Sequence, residues 1–493
     1  MTGATVLGID LGTSSVKVVL ADLGGTVLSR ATVPYAVRRP EPDWAETDPA
    51  QWWQAVCHAV GRLRAEPDWV APSGIGLSGQ MHGVVLCTDS GAPVRPALLW
   101  SDARATAELE TYRALPDLLR TALGNPLSPG MAGPQLAWLH RHEPASVEAA
   151  RWALQPKDWL RARLTGRFAA EPSDASATLL YNVLTQTWDA DLVAELRLRP
   201  DLLPDILPYA GVTAGELLLA AADELGLPAG IPVAAGAADT AAAALGTGLT
   251  QVGSTQLTVG TGIQIVTPVL PPTEQTVLAA PVTHLYRSAS AHGWYAMAAS
   301  LNGGQTLDWV RGVLGVDWDE LYAATDRTPQ PDDPTFLPHL VGERTPYLDS
   351  SLRGAWVGLA ASHDSRALLY AALEGVAFAA ADALDAMPQR PPSARGLRLA
   401  GGGTIAPGWR NLLADALDAG LDAVEAPDAS ARGAALLAAE AAGLVSPDDV
   451  APPPTQRVAE PGSRRDALQD RRRRFHTVLD SLRPRPPAGA GGR

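Results

Sequence analysis

Thr5-Val-Leu-Gly-Ile-Asp10-Leu-Gly-Thr-Ser-Ser-Val-Lys17-Val-Val-Leu-Ala21 consists of two apolar, alternating runs folded about a Gly-Thr-Ser turn. Such alternation reads as paired strands. Gly24-Gly25 then permits a tight reversal into a third run, Thr26 to Val33, so the segment predicts an antiparallel meander. Asp10 closes the first strand beside the turn that carries Thr13 and Ser14. Backbone N–H groups and hydroxyls gathered in such a turn suit phosphate oxygens, and a neighbouring carboxylate suits Mg²⁺. An ordinary hairpin with Asp10 as a turn cap fits the same residues equally well. A second turn, Gly260-Thr261-Gly262, separates the strand-like runs Ser254 to Gly260 and Ile263 to Val266. Two such hairpins facing across a cleft would clamp a triphosphate, and the pair is far more specific than either alone.

Outward from these turns the chain reads as two α/β halves. A helix is expected at Pro49 to Arg64, with Asp48 as N-cap and Pro49 in the first turn. Ile75 to Cys87 has strand character, interrupted by Gly79-Gln80-Met81-His82-Gly83, and residues 103–225 are mostly helical in pattern. A strand at Ile231 to Ala235 leads through Asp239 into an Ala-rich helix, Thr240 to Leu245. The second half adds a helix at Ser365 to Met387, a strand at Leu397 to Ala400 running into Gly401-Gly402-Gly403, and helices at Trp409 to Ala419 and Ala429 to Ala442. The expected division is 1–247, 248–445 and a Pro/Arg-rich segment 446–493, with the halves joined near 245–255. Arg471 to Arg474 lie in a helix-like run ending at Leu482 and read as a solvated face, and Pro484 to Arg493 as a disordered tail.

Composition narrows the function. The chain has 493 residues, 46% hydrophobic, and its net charge of −14 argues against nucleic acid or an anionic membrane as partner. The two cysteines, Cys57 and Cys87, make no disulfide framework and suit a reducing cytoplasm. Asp10 interrupts the first apolar run before a signal-peptide core could form. The most apolar later stretch, Ile231 to Leu249, holds Asp239 and several glycines and does not read as a membrane span. No Gly-x-x-x-x-Gly-Lys-Ser/Thr motif is present. Gly74-Ile-Gly76-Leu-Ser-Gly79 has the dinucleotide spacing in the wrong context, since Pro72 precedes it and the strand-like Val84-Val-Leu-Cys87 follows. His140-Arg-His142-Glu143 is helix-like, so its two histidines face apart and a zinc site is not expected.

Motifs in order along most of the chain resemble the FGGY family of carbohydrate kinases. They include Gly8-Ile-Asp10-Leu-Gly-Thr-Ser14, Trp44-Ala-Glu46, Asp48-Pro-Ala-Gln-Trp-Trp53, Ser78-Gly-Gln80-Met-His82-Gly83 and Leu99-Trp100-Ser-Asp102-Ala-Arg104. Further along are Pro156-Lys157-Asp158-Trp-Leu160, Gly342-Glu343-Arg344-Thr-Pro346, Leu373-Glu374-Gly375, Gly401-Gly402-Gly403, Trp409-Arg410 and Ala414-Asp415. Gln-Met-His-Gly and Gly-Glu-Arg-Thr-Pro point to the branch acting on xylulose. Three positions depart from the family pattern. Ala238-Asp239-Thr240 stands where Gly-Asp-Asn is usual, Gly260-Thr-Gly262-Ile263 where Gly-Thr-Ser-Gly is usual, and Gln135 where Lys is usual.

The resemblance implies an α/β fold of two ribonuclease-H-like domains, as in the actin/sugar kinase/Hsp70 ATPase superfamily, flanking a catalytic cleft. It implies ATP-dependent phosphorylation of D-xylulose, with ATP and Mg²⁺ as cofactors. Asp239 is then the general base, and Asp10 the carboxylate associated with Mg²⁺ through water. Thr13, Ser14, Gly260 and Thr261 contact phosphates, and Gly401, Gly402 and Gly403 admit the adenosine. Gln80, Met81, His82, Trp100, Asp102 and Thr240 fall to the sugar, with Met81 and Trp100 as an apolar wall. A family kinase for ribulose, gluconate or glycerol is the first alternative, and a chaperone-like or regulatory ATP-binding protein the second. Partners are a sugar and ATP rather than nucleic acid or membrane, and a homodimer is a possible assembly.

Overall fold

Alternating side chains fix the N-terminal meander. Thr5–Leu11, Ser15–Asp22 and Val27–Pro34 are strands, paired antiparallel with Asp10 opposite Lys17. The computed structural model describes residues 3–389 and 396–483, so the expected tail 484–493 lies outside the described residues. Two compact units result. The first comprises Met1–Thr250, Pro268–Tyr295 and Ala426–Pro453, and the second Gln251–Thr267, Ala296–Glu425 and Pro454–Arg493. The expected boundary near 247 therefore marks where the chain first leaves the first unit, which later segments rejoin. A linear cut cannot anticipate this, because the helix Ala429–Ala441 packs on strands more than 350 residues earlier in the sequence.

In the first unit the sheet runs, in space, Thr213–Glu216, Pro232–Ala234, Ile75–Gly79, Thr5–Leu11, Ser15–Asp22, Val27–Pro34. Ile75–Gly79 lies parallel to Thr5–Leu11, and the two-residue strand Ala237–Ala238 is parallel to Ile75–Gly79. The helix Pro49–Arg64 covers one face, and Asp48 caps it by accepting from Ala50 N at 2.9 Å. The other face meets the helix Ala429–Ala441 almost backbone to backbone. A Cβ on Gly8 would lie 2.2 Å from the Ala431 carbonyl oxygen, and one on Gly76 only 1.8 Å from that of Ala434. In the Gly74 to Gly79 motif, Gly74 and Gly76 thus admit this helix, whereas Gly79 meets Lys157. Residues 103–225 are less helical than expected, because short strands such as Trp152–Leu154 and Thr213–Glu216 break the run where sheet partners are available.

In the second unit Gln256–Val259 pairs antiparallel with Ile263–Val269 and parallel with Leu397–Ala400. Leu397–Ala400 is in turn parallel to Leu421–Val424, which pairs antiparallel with Thr455–Ala459. The helix Ser365–Asp385 has a mean hydropathy of 1.5, enough to span a membrane by length and composition, yet 94% of that window is buried. It is a core helix. Arg471 and Arg472, on the helix Arg465–Leu482, are not the solvated face expected. Arg471 forks onto both oxygens of Glu374 at 2.6 and 2.7 Å, and Arg472 pairs with Asp382 and Asp385. Arg473 alone of the four faces outward, on Asp470.

Replacing Gly76 by alanine should overpack the interface with Ala434 and lower unfolding free energy by about 1–3 kcal/mol. Gly61, inside the helix Pro49–Arg64, has nothing within 4 Å of an added Cβ. Gly61→Ala should stabilise by about 0.5–1 kcal/mol through backbone entropy. Urea unfolding midpoints of the two variants should move in opposite directions.

Candidate active site

Parallel register brings the two key carboxylates to one edge of the first unit. Asp10 is level with Ser78, and Ser78 with Ala237, so Asp10 and Asp239 emerge at the carboxyl ends of parallel strands on either side of Ile75–Gly79. Ser78 Oγ donates to Asp10 Oδ1 at 2.9 Å. Burial pushes the Asp10 carboxyl above its usual value, with Ser78 and Lys17 opposing and Asp428 adding to the rise. Burial also dominates at Asp239. Together with the charge of Asp10 it pushes this carboxyl up to about 7, against the hydrogen bonds it accepts from Thr240. A helix N-terminus favours the ionised form of a carboxyl, and here burial outweighs it. Asp239 is the first residue of the helix Asp239–Gly246 rather than its cap, which is Ala238.

Thr240 supplies two donors to the same oxygen. Its N–H lies 2.6 Å and its Oγ1 3.2 Å from Asp239 Oδ1. The hydroxyl expected to meet a sugar is therefore turned onto Asp239. This arrangement occupies Oδ1 and leaves Oδ2 outside both bonds.

The first turn is braced from several sides. The Gly12 carbonyl accepts from the Tyr35 hydroxyl and from Gln80 Nε2, the latter at 3.2 Å, while Tyr35 N donates to Ser14 O at 3.0 Å. Trp100 Nε1 donates to Thr13 Oγ1 at 2.9 Å, so the indole expected as an apolar wall also ties the turn. Ser14 is exposed. Lys17 reaches Asp428 at 2.7 Å, and Asp428 also holds Arg30 at 3.0 Å.

The Gln80-Met81-His82 bend follows directly. Gln80 is buried with its Oε1 unpaired, and Met81 is buried. His82 takes a left-handed backbone, φ 75°, and its Nδ1 lies 2.7 Å from the Ala177 carbonyl oxygen. A carbonyl can only accept, so Nδ1 carries the proton in this contact. Asp102 departs from expectation. Buried, it accepts from Ala45 N at 2.6 Å and holds the Arg104 guanidinium through both oxygens, while Arg104 also reaches Glu46. Its carboxylate is committed to joining Trp44-Ala-Glu46 to Trp100-Ser-Asp102-Ala-Arg104. A role for Asp102 in accepting sugar hydroxyls is not what this geometry favours. Gln135 occupies its departure from the pattern by donating to Leu99 O at 2.8 Å.

In the second unit the other two glycine motifs converge. Gly260 N bonds Gly262 O at 2.9 Å, and the turn docks on the start of the helix Gly304–Leu314, whose Gly304 and Gln305 N–H groups donate to Gly260 and Thr261 carbonyls at 2.8 and 3.0 Å. Gly401, at φ 93°, and Gly403 lie against Val259, the residue before Gly260. Neither Gly260 nor Gly402 has any atom within 4 Å of an added Cβ, so this edge is open. Ser78, Tyr35, Gly303 and Gly304 were not singled out from sequence as site residues. Ser78 stood inside a quoted motif, whereas Tyr35 had no local signal. Among the described residues no group of three or more His, Cys, Asp or Glu is placed to hold a metal.

The family model "FGGY family of carbohydrate kinases, N-terminal domain" matches residues 5–246, and its C-terminal counterpart matches 257–442. A xylulose kinase of Escherichia coli (strain K12) is 34% identical over 490 residues, covering 97% of this chain and 99% of that one. Among solved structures, a kinase from Brucella ovis titled a "xyloylose kinase" superposes with a TM-score of 0.88 at 35% identity, covering 97% of this chain and 99% of the other. A xylulose kinase from Rhodospirillum rubrum superposes at 0.86 with 30% identity, over 97% and 99%.

Because the Asp239 carboxyl is raised, the folded chain binds its proton more tightly than the unfolded chain does. Its ionisation therefore costs stability from the usual carboxylate value, 3.8, upward, and the full cost is present above about 7. Asp239→Asn should accordingly melt higher than the natural protein at pH 8, with the gain shrinking steadily towards pH 4. A melting difference that does not change with pH would contradict the raised carboxyl.

Proposed function

The chain belongs to the FGGY family of carbohydrate kinases, and from that premise we propose that it transfers the γ-phosphoryl group of ATP to D-xylulose. The observation that carries the chemistry is the placement of Asp239 beside Asp10 at the ends of parallel strands, with its carboxyl raised to about 7. A base of that strength is half ionised at neutral pH and matched to taking a proton from an attacking hydroxyl. The xylulose assignment is supported by the near-full-length likeness to a kinase of that name at 34% identity.

In this reading Asp239 Oδ2 accepts the proton of the sugar hydroxyl as its oxygen bonds the γ-phosphorus and the bond to the β-phosphate oxygen breaks. The products are ADP and the sugar phosphate, and the proton passes from Asp239 to water. Thr13, Ser14, Gly260 and Thr261 hold phosphate oxygens. Gly401, Gly402 and Gly403 let the adenosine approach the backbone. Gln80, through its unpaired Oε1, and His82 face the sugar hydroxyls, with Trp100 against the carbon face. Thr240 orients the base.

Asp10 fits Mg²⁺. It is a hard oxygen donor beside the phosphate turn, and a single carboxylate is typical of a cation that keeps most of its water. Bound there, Mg²⁺ would neutralise phosphate charge.

Asp239→Asn should lower turnover about 10²- to 10⁴-fold with ATP binding retained. Unchanged turnover would remove Asp239 as the base. Asp10→Ala should also lose most turnover, with an altered response to Mg²⁺, and an unaltered response would leave Asp10 a turn residue. ADP release measured with D-xylulose, D-ribulose, L-ribulose, glycerol and gluconate tests the acceptor. A tenfold preference for another acceptor in kcat/KM would displace xylulose and leave the kinase assignment standing.

A further inference from the structure

Behind Asp239 lies a group of charges with no part in the chemistry above. Lys157, Asp158 and Arg161 on the helix Pro156–Thr165 and Glu171 and Asp174 on the short helix Pro172–Ala175 and its cap are fully buried. Lys157 Nζ lies 2.5 Å from Asp158, 3.2 Å from Asp174 and 3.4 Å from Glu171, and Arg161 is 2.8 Å from Asp158. Burying five ionisable groups carries a heavy desolvation cost, and well-packed apolar side chains would serve stability as well or better. Their retention calls for another purpose.

That purpose is visible in where the remaining hydrogen bonds go. Arg161 donates to the Ala235 carbonyl at 2.7 Å. Ser173 Oγ donates to Glu171 Oε1 at 2.6 Å and accepts from Ala238 N at 2.9 Å. Glu171 is itself fixed by the N–H groups of Ser173 and Asp174, each at 2.9 Å. Between these anchors Gly236, at φ 80°, passes so close to Lys157 that an added Cβ would sit 3.1 Å from its Cδ. The cluster thus grips both ends of Ala235-Gly-Ala-Ala238, the segment that delivers Asp239. The segment needs it, because alanine and glycine side chains give little shape by which packing could fix its position.

We infer that Ser173 is a positioning residue for the reaction, through which the buried Lys157–Glu171 pair holds the Ala238 backbone and so aims the Asp239 carboxylate. The inference rests on the reading of Asp239 as the base. A displacement of about 1 Å at a reacting group costs on the order of 10²-fold in rate, so a small slackening should register in turnover.

Ser173→Ala leaves Ala238 N–H without its acceptor. It should lower kcat about 10- to 100-fold while KM for D-xylulose and for ATP stays within about threefold. Hydrogen exchange in the peptide spanning residues 235–239 should quicken. In an Asp239→Asn background, the same substitution should cost less than about threefold, because the group it aims is gone. An equal loss in both backgrounds, an unchanged kcat, or a failure to fold would overturn the inference and make Ser173 a structural residue. If Asp239→Asn alone kept natural turnover, the base assignment would fall, and this inference with it. Loss in Asp239→Asn with additive behaviour would sink the inference only.

Discussion

The close approach of the helix Ala429–Ala441 to two glycine-bearing strands governs the first unit. Gly8 and Gly76 present no side chain to that helix, and Gly433 lies against Ala242 on the helix Asp239–Gly246 with the same lack of clearance. Because backbones meet backbones, the helix cannot slide without collision, and its position locks the strands beneath it. Register follows, and with it the level placement of Asp10, Ser78 and Ala237. The site is therefore a consequence of how this helix packs on the sheet and on the helix Asp239–Gly246. Asp428, at the start of the same helix, then takes Lys17 and Arg30 and ties the meander to it.

Electrostatics shape what that placement can do. Burial in a poorly hydrated edge raises both carboxyls, and the charge of Asp10 adds to the rise at Asp239. Thr240 moderates this from one oxygen, and Ser78 does the same for Asp10. A second set of charges, from Lys157 to Asp174, works differently. It is fully enclosed, and Asp174 is pushed well above the carboxylate range by that enclosure. Its outward hydrogen bonds end on backbone atoms, which suits a scaffold.

Much of this was legible in the residues. The three-stranded meander, the helix from Pro49 to Arg64 and the strand Leu397–Ala400 have the bounds, or nearly the bounds, that alternation and capping predict. Asp10, the glycine turns and the bend at Gln80 to His82 stood out for their types and spacing. What stayed hidden concerned partners. Asp102 was read as facing a sugar and is committed to Arg104 and Ala45. Thr240 was read the same way and bonds Asp239. Arg471 and Arg472 looked solvated and pair with Glu374 and Asp382. In each case the partner is distant in sequence or set by a rotamer, and neither leaves a trace in local pattern.

The sequence alone determined the α/β class, the strand and helix periods, the positions of the glycine turns and the family, because these rest on residue type and short-range spacing. Tertiary structure alone decided that segments 268–295 and 426–453 return to the first unit. It also decided that Arg161 and Ser173 grip the segment before Asp239. These facts depend on which surfaces meet after the chain has closed on itself. Steric fit and the exclusion of water select those meetings across hundreds of residues, and no local window of sequence contains them.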